Sequence, residues 1–125
     1  MTTKEIGDIG EDIAVKLLKK SKFKISGRNL HFSHNEIDIV AENKAFILFV
    51  EVKTRTVGDA SEIEDTVPSL AVTYSKRSRL ITAARDYLRE NPTKKQPRMD
   101  VIEVWLDSAT NKALKTNHIE NAYEA

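Results

Sequence analysis

The segment Phe46-Ile47-Leu48-Phe49-Val50-Glu51-Val52-Lys53 is apolar on both of its alternating faces until its last residues. Successive side chains of a strand point to opposite sides, so a run apolar at nearly every position must be covered on both sides, as a central strand is. Its charges, Glu51 and Lys53, come only at the C-terminal end, where the sites of open sheets usually sit. Unpaired charge beside a core costs several kcal/mol unless compensated. Function explains these residues better than stability does.

Just upstream, Asn35-Glu36-Ile37-Asp38-Ile39-Val40 reads as a second strand, with Glu36, Asp38 and Val40 on one face and Ile37 and Ile39 on the other. A tight turn at Asn43-Lys44 would pair Glu42 with Ala45, set Asp38 opposite Phe49 and Glu36 opposite Glu51. Asp38 and Glu51 then become diagonal neighbours on one face, ~7–8 Å apart and within reach of a shared cation. A slip of one residue would turn Asp38 to the wrong face.

Around this pair the chain orders itself simply. Ile6, Ile9, Ile13 and Leu17 recur at helical spacing, with Ala14 and Leu18 widening the stripe, over about Thr3 to Lys20, and Thr2 or Thr3 supplies a cap. Gly7 and Gly10 weaken that helix by about 1 kcal/mol each, which suggests close approach to a neighbouring backbone or ligand. Glu11 lies on their flank and looks toward the core edge. Phe23 to Phe32, interrupted by Gly27, reads as an irregular or bulged strand.

Thr56 to Thr66 reads as a polar surface loop. A helix follows from Pro68 or Thr73, with core face Leu80, Ile81, Ala84, Tyr87 and Leu88, ending near Asn91-Pro92. After a basic linker from Pro92 to Pro97, Met99 to Leu106 forms a strand with Trp105 in the core. The tail, 107–125, is weakly patterned, with one short strand expected at Asn117 to Ile119.

At 125 residues, 40% hydrophobic and 31% charged, the whole chain, 1–125, fits a single globular domain. The lack of cysteine excludes disulfides and thiolate metal sites and suits a reducing, cytoplasmic setting. No apolar run approaches the roughly 20 residues that span a bilayer, and the N-terminus lacks a signal-like apolar stretch, so no membrane role is expected. A net charge of +1 conceals an uneven distribution. Lys16, Lys19, Lys20, Lys22, Lys24 and Arg28 form one run without acids, and a second basic run extends from Tyr74 to Arg98. Lys76, Arg77 and Arg79 fall in the first turns of the second helix, where cations oppose the dipole and an anionic partner would favour them.

Phosphodiester hydrolysis requires a deprotonated water, neutralised phosphate charge and a stabilised leaving oxygen, and one or two Mg²⁺ ions can supply all three. Mg²⁺ takes oxygen ligands, usually one or two carboxylates completed by water and phosphate. Asp38 and Glu51 suit that role, Lys53 can orient the water or stabilise the phosphorane, and Glu11 would be a third carboxylate. His31 and His34 have His-x-x-His spacing but no evident third zinc ligand.

Gly7-Asp8-Ile9-Gly10-Glu11-Asp12-Ile13-Ala14, Arg28-Asn29-Leu30, Glu36-Ile37-Asp38-Ile39-Val40, Phe49-Val50-Glu51-Val52-Lys53-Thr54-Arg55, Val72-Thr73-x-x-Lys76, Arg79-Leu80, Arg98-Met99-Asp100-Val101-Ile102 and His118-Ile119-Glu120-Asn121-Ala122-Tyr123 run in order along the chain. This series resembles the YraN-type family of predicted bacterial nucleases, itself similar to the restriction-endonuclease-like PD-(D/E)xK superfamily and to archaeal Holliday junction resolvases. The resemblance covers nearly the whole chain. It implies an α/β fold with a mixed central sheet flanked by helices, and Mg²⁺- or Mn²⁺-dependent cleavage of DNA, branched DNA included. By it, Asp38, Glu51 and Lys53 are the metal and catalytic residues, Glu11 the helix carboxylate and Lys76 an auxiliary basic residue. Arg77, Arg79 and Arg55 join Lys76 as candidates for the phosphate backbone. Asn35 stands where that family usually has Gly before its Glu-Ile-Asp run, and Ser21-Lys22 where a Gly commonly closes the first helix. A resolvase would also be a twofold homodimer. The alternative is a non-catalytic nucleic-acid-binding or scaffolding module of the same fold, or a domain that assembles with a protein partner.

Overall fold

The structure, a computed structural model, describes residues 1–59, 61, 63 and 74–123. Its elements are α1 (Thr3–Lys20), β1 (Lys24–Phe32), β2 (Asn35–Glu42), β3 (Phe46–Val57), α2 (Tyr74–Glu90), β4 (Gln96–Asp107) and β5 (Ala113–Tyr123). The expected helix start at Pro68 or Thr73, and Glu62, Glu64 and Asp65 of the expected loop, lie outside the described residues.

The five strands lie side by side in sequence order, β1-β2-β3-β4-β5. β3 and β4 are parallel and the remaining neighbours antiparallel. This is a mixed α/β fold with a central sheet, the architecture that the resemblance implies. β3 is the middle strand, and its two faces divide as its sequence requires. Ile47 and Phe49 pack with Leu80, Ala83 and Ala84 of α2, while Leu48 and Val50 pack with Ala14, Val15 and Leu18 of α1.

The start of α1 is fixed by a capping box in which Thr2 accepts from the Glu5 N–H at 3.1 Å and the Glu5 side chain reaches back to the Thr2 N–H. Its last turn closes in a Schellman pattern: Phe23 N–H donates to Leu18 O and Lys22 N–H to Lys19 O, both at 3.0 Å. Gly10 justifies the suspicion of close approach, because a Cβ there would lie 1.8 Å from Thr54 Oγ1 of β3. Gly7 does not; a Cβ there would meet nothing within 4 Å.

Two expectations are corrected. The polar loop begins later than Thr56, since β3 continues to Val57, which pairs with Asp107 and packs on Trp105 and Ile63. The tail is no weakly structured end: β5 is an eleven-residue edge strand bonded to β4. An edge strand with one half-solvated face carries little hydrophobic alternation, so backbone pairing rather than pattern defines it. β1 carries the expected irregularity, a register shift between Ile25 and Gly27.

Candidate active site

The β2–β3 ladder runs from Glu42↔Ile47 to Ile39↔Val50, so Val40, and not Asp38, faces Phe49. The expected register is displaced by two residues because the turn is wider than a two-residue hairpin. Asn43 Oδ1 accepts from Ala45 N–H at 2.9 Å and Phe46 N–H at 2.7 Å, and Asn43 N–H donates to Phe46 O at 3.0 Å. An even displacement keeps the parity of the paired residues. The expected strict alternation through residues 36–40 does not hold either, since Ile37 joins Val40 in the α2-side core while Ile39 and Ala41 lie under α1.

That reversal occurs at Asp38. Here Asp38 Oδ2 accepts from Val52 N–H at 2.9 Å, so a side chain takes the place of a backbone carbonyl. Burial, then the negative charges of Glu51, Glu11 and Glu36, outweigh this bond and push the Asp38 carboxyl up to about 6. Among the described residues no cationic side chain pairs with it.

Glu51 is buried, and its Oε1 lies 3.4 Å from Lys53 Nζ. An open cleft of about 510 Å³ on the α2 side is lined by His34, Glu36, Asp38, Glu51 and Arg79. A second depression of about 290 Å³, on the α1 side, is lined by Gly7, Glu11, Asn29, Asp38 and Thr54. Asp38 borders both. Glu11 is buried and held in place, accepting from Arg28 Nε and Asn29 Nδ2 at 3.0 Å each, while Arg28 also reaches Asp12 at 2.8 Å.

Among the described residues, no three acidic, histidine or cysteine side chains converge as a ready metal cage. The arrangement is instead two carboxylates, Asp38 and Glu51, with a third, Glu11, felt through its charge. That donor set suits Mg²⁺, which is held by one or two carboxylates and completed by water and phosphate.

The basic candidates separate. Arg79 is exposed on the cleft wall. Arg77 turns over the Tyr123 ring at 5.2 Å, its Nε buried. Arg55 Nε lies 3.8 Å from Glu103 Oε2. Lys76 falls in the first turn of α2, and its side chain lies outside the described residues.

Glu103, fully buried and directly opposite Lys53 in the β3–β4 register, was not among the candidates. A lone acid inside Val101-Ile102-Glu103-Val104-Trp105 was the available signal. Burial raises its carboxyl, opposed by Arg55, Asn117, Lys115 and Lys53.

The pattern of the uncharacterised protein family UPF0102 matches residues 10–104, a span that holds Glu11, Asp38, Glu51, Lys53 and Arg79. Curated relatives match almost end to end. A UPF0102 protein of Caldanaerobacter subterraneus is 39% identical over 121 residues, 96% of this chain and 95% of its own. One of Clostridioides difficile is 39% identical over 124 residues, 98% and 100%, and one of Alkaliphilus oremlandii 40% over 123, 96% and 98%. The carboxylate pair and its lysine therefore sit inside the matched region, and the chain belongs to the UPF0102 family.

Proposed function

We propose that this chain is a divalent-metal-dependent endonuclease that hydrolyses DNA phosphodiester bonds, with branched or otherwise structured DNA as its substrate class. The observation that carries the reading is Asp38. A half-buried carboxyl is held by a backbone N–H beside Glu51, under the added negative charge of Glu11 and Glu36, in an open cleft. Such a group costs stability and lacks only a cation.

Asp38 and Glu51 would hold Mg²⁺ or Mn²⁺. When bound, the ion supplies Lewis acidity and a water that deprotonates near neutral pH. Lys53, two residues beyond Glu51 and on its side of β3, neutralises charge developing on the attacked phosphate. Arg79 on the opposite wall offers a phosphate contact. Glu11, fixed by Arg28 and Asn29, acts as a buried charge beside the site.

The test is a set of labelled duplex, single-stranded, flap and four-way-junction DNAs incubated with Mg²⁺ or Mn²⁺, with Glu51→Ala prepared in parallel. Cleavage that needs metal and disappears in Glu51→Ala supports the reading; cleavage unchanged in that variant rejects it. Arg79→Ala should lower the salt slope of binding by about 1. Paired cutting of a junction requires a twofold dimer, which light scattering would detect.

A further inference from the structure

The fold gathers a second charged surface away from the cleft. α1 ends at Lys20, and Lys22 leads into β1 at Lys24, which pairs with Glu42 beside the β2–β3 turn that carries Lys44. Gln96 N–H donates to Ala45 O at 2.9 Å, drawing the α2–β4 connection, with Lys94 and Lys95, against that same turn. Lys95 Nζ pairs with Glu42 Oε1 at 3.1 Å, while Lys20, Lys22, Lys24, Lys44 and Lys94 are exposed. Three separate stretches of a chain with net charge +1 thus meet in one basic pole. Roughly 17 Å of β3 separates Phe46, at this pole, from Glu51.

Lysine near a helix C-terminus complements the dipole, which accounts for Lys20 and not for Lys44. Lys22 goes further. It holds the position after the helix cap with φ of 69°, the left-handed conformation where glycine is the default, so a charge is kept at the expense of an easier backbone. The acids, by contrast, crowd the cleft: Glu36, Asp38 and Glu51 line it, with Glu11 across Asp38 in the neighbouring depression, and they repel a polyanion before a metal binds.

We infer that this pole is a second DNA-backbone contact, which supplies affinity while the distant cleft supplies chemistry. The inference shares with the proposed function its partner, DNA, but not its catalysis.

The experiment measures binding of a fluorescein-labelled 30-base-pair duplex to the full chain in EDTA, by anisotropy across a KCl series. Replacing Lys20, Lys22 and Lys44 together with Gln should lower the salt slope by about 2 to 3 and affinity by roughly tenfold or more. An unchanged slope overturns the inference. So does lysine-dependent binding to phosphatidylserine vesicles in the same buffer without duplex binding. Lys22→Gly separates charge from structure: melting should rise by roughly 2–6 °C as strain is relieved, while affinity falls a few-fold. Melting that rises with affinity unchanged assigns Lys22 to the helix end alone and refutes its DNA role. Because EDTA removes catalysis, lost binding in the triple variant upholds the pole even where Mg²⁺ produces no cleavage, which would instead remove the nuclease reading.

Discussion

Asp38, half-buried on β2, and Asp100, fully buried on β4, have surroundings that could hardly differ more. Asp100 is fully buried and fully answered: Arg98 donates from Nε at 2.9 Å and Nη2 at 2.8 Å, Asn121 N–H donates at 3.0 Å, and His118 Nε2 lies 2.6 Å away. The Arg98 guanidinium in turn stacks over Phe46 at 4.9 Å and Phe23 at 5.8 Å. Burial pushes the Asp100 carboxyl up, but the bonds from His118, Arg98 and Asn121 and the Arg98 charge hold it below its ordinary range. Asp38 has one backbone donor and three acidic neighbours. A carboxylate supplied with every partner ties elements together, whereas one crowded by further acids carries a charge that no described cationic side chain answers.

The largest effect separating the two belongs to the cleft. Glu51→Ala should lower metal-dependent cleavage by about a thousandfold or more while leaving duplex binding in EDTA near its wild-type value. Asp100→Ala should do the reverse. Left with only the exposed Glu120, 3.8 Å away, the largely buried Arg98 costs about 3 kcal/mol in urea unfolding, with cleavage per folded molecule retained. Cleavage lost at full stability in Asp100→Ala would break the distinction.

Next in size is a substitution that should improve stability. Asp38→Asn keeps an oxygen for Val52 N–H and removes the crowded charge, so metal-free stability at pH 7.5 should rise by about 1–3 kcal/mol. The upward shift of melting temperature caused by Mg²⁺ in the wild type should vanish in the same variant. A Mg²⁺ shift that survives Asp38→Asn places the cation elsewhere.

The sequence brought Asp38 and Glu51 onto neighbouring strands but not into their register. The two-sided apolar run placed β3 in the middle of the sheet, and the 3.6-residue stripe with its threonine cap set the ends of α1, because burial and capping are local in residue type. Gly10 was legible as a close contact, though its partner, Thr54, was not. The register failed on one side chain, Asn43, whose bonds widen the turn. The reversal at Asp38 was hidden for a related reason: it depends on where two strands stop pairing, which no alternation of apolar residues encodes. Asp100 escaped as well, since Arg98, His118 and Asn121 reach it from two strands. Glu103 was visible as a lone acid in an apolar strand, but only the parallel register sets it opposite Lys53.

The smallest effect is a pH dependence with opposite signs at the two aspartates. Asp38, raised to about 6, binds a proton in the folded chain over a range where the unfolded chain has lost it, so its contribution to metal-free stability falls as pH rises from about 4 to 6. The slope is at most about 1.4 kcal/mol per pH unit, and the loss persists above pH 6. Asp100, held low, contributes stability that is present above about pH 4 and lost as pH falls through its folded value. Asp38→Asn should therefore flatten the curve between pH 4 and 6 and leave the acid limb intact. Because a cation must displace the Asp38 proton, stabilisation by Mg²⁺ should also fade below pH 6 in the wild type. A wild-type curve flat from pH 4 to 6 would mean that Asp38 already has its counter-charge, and the contrast with Asp100 would fail.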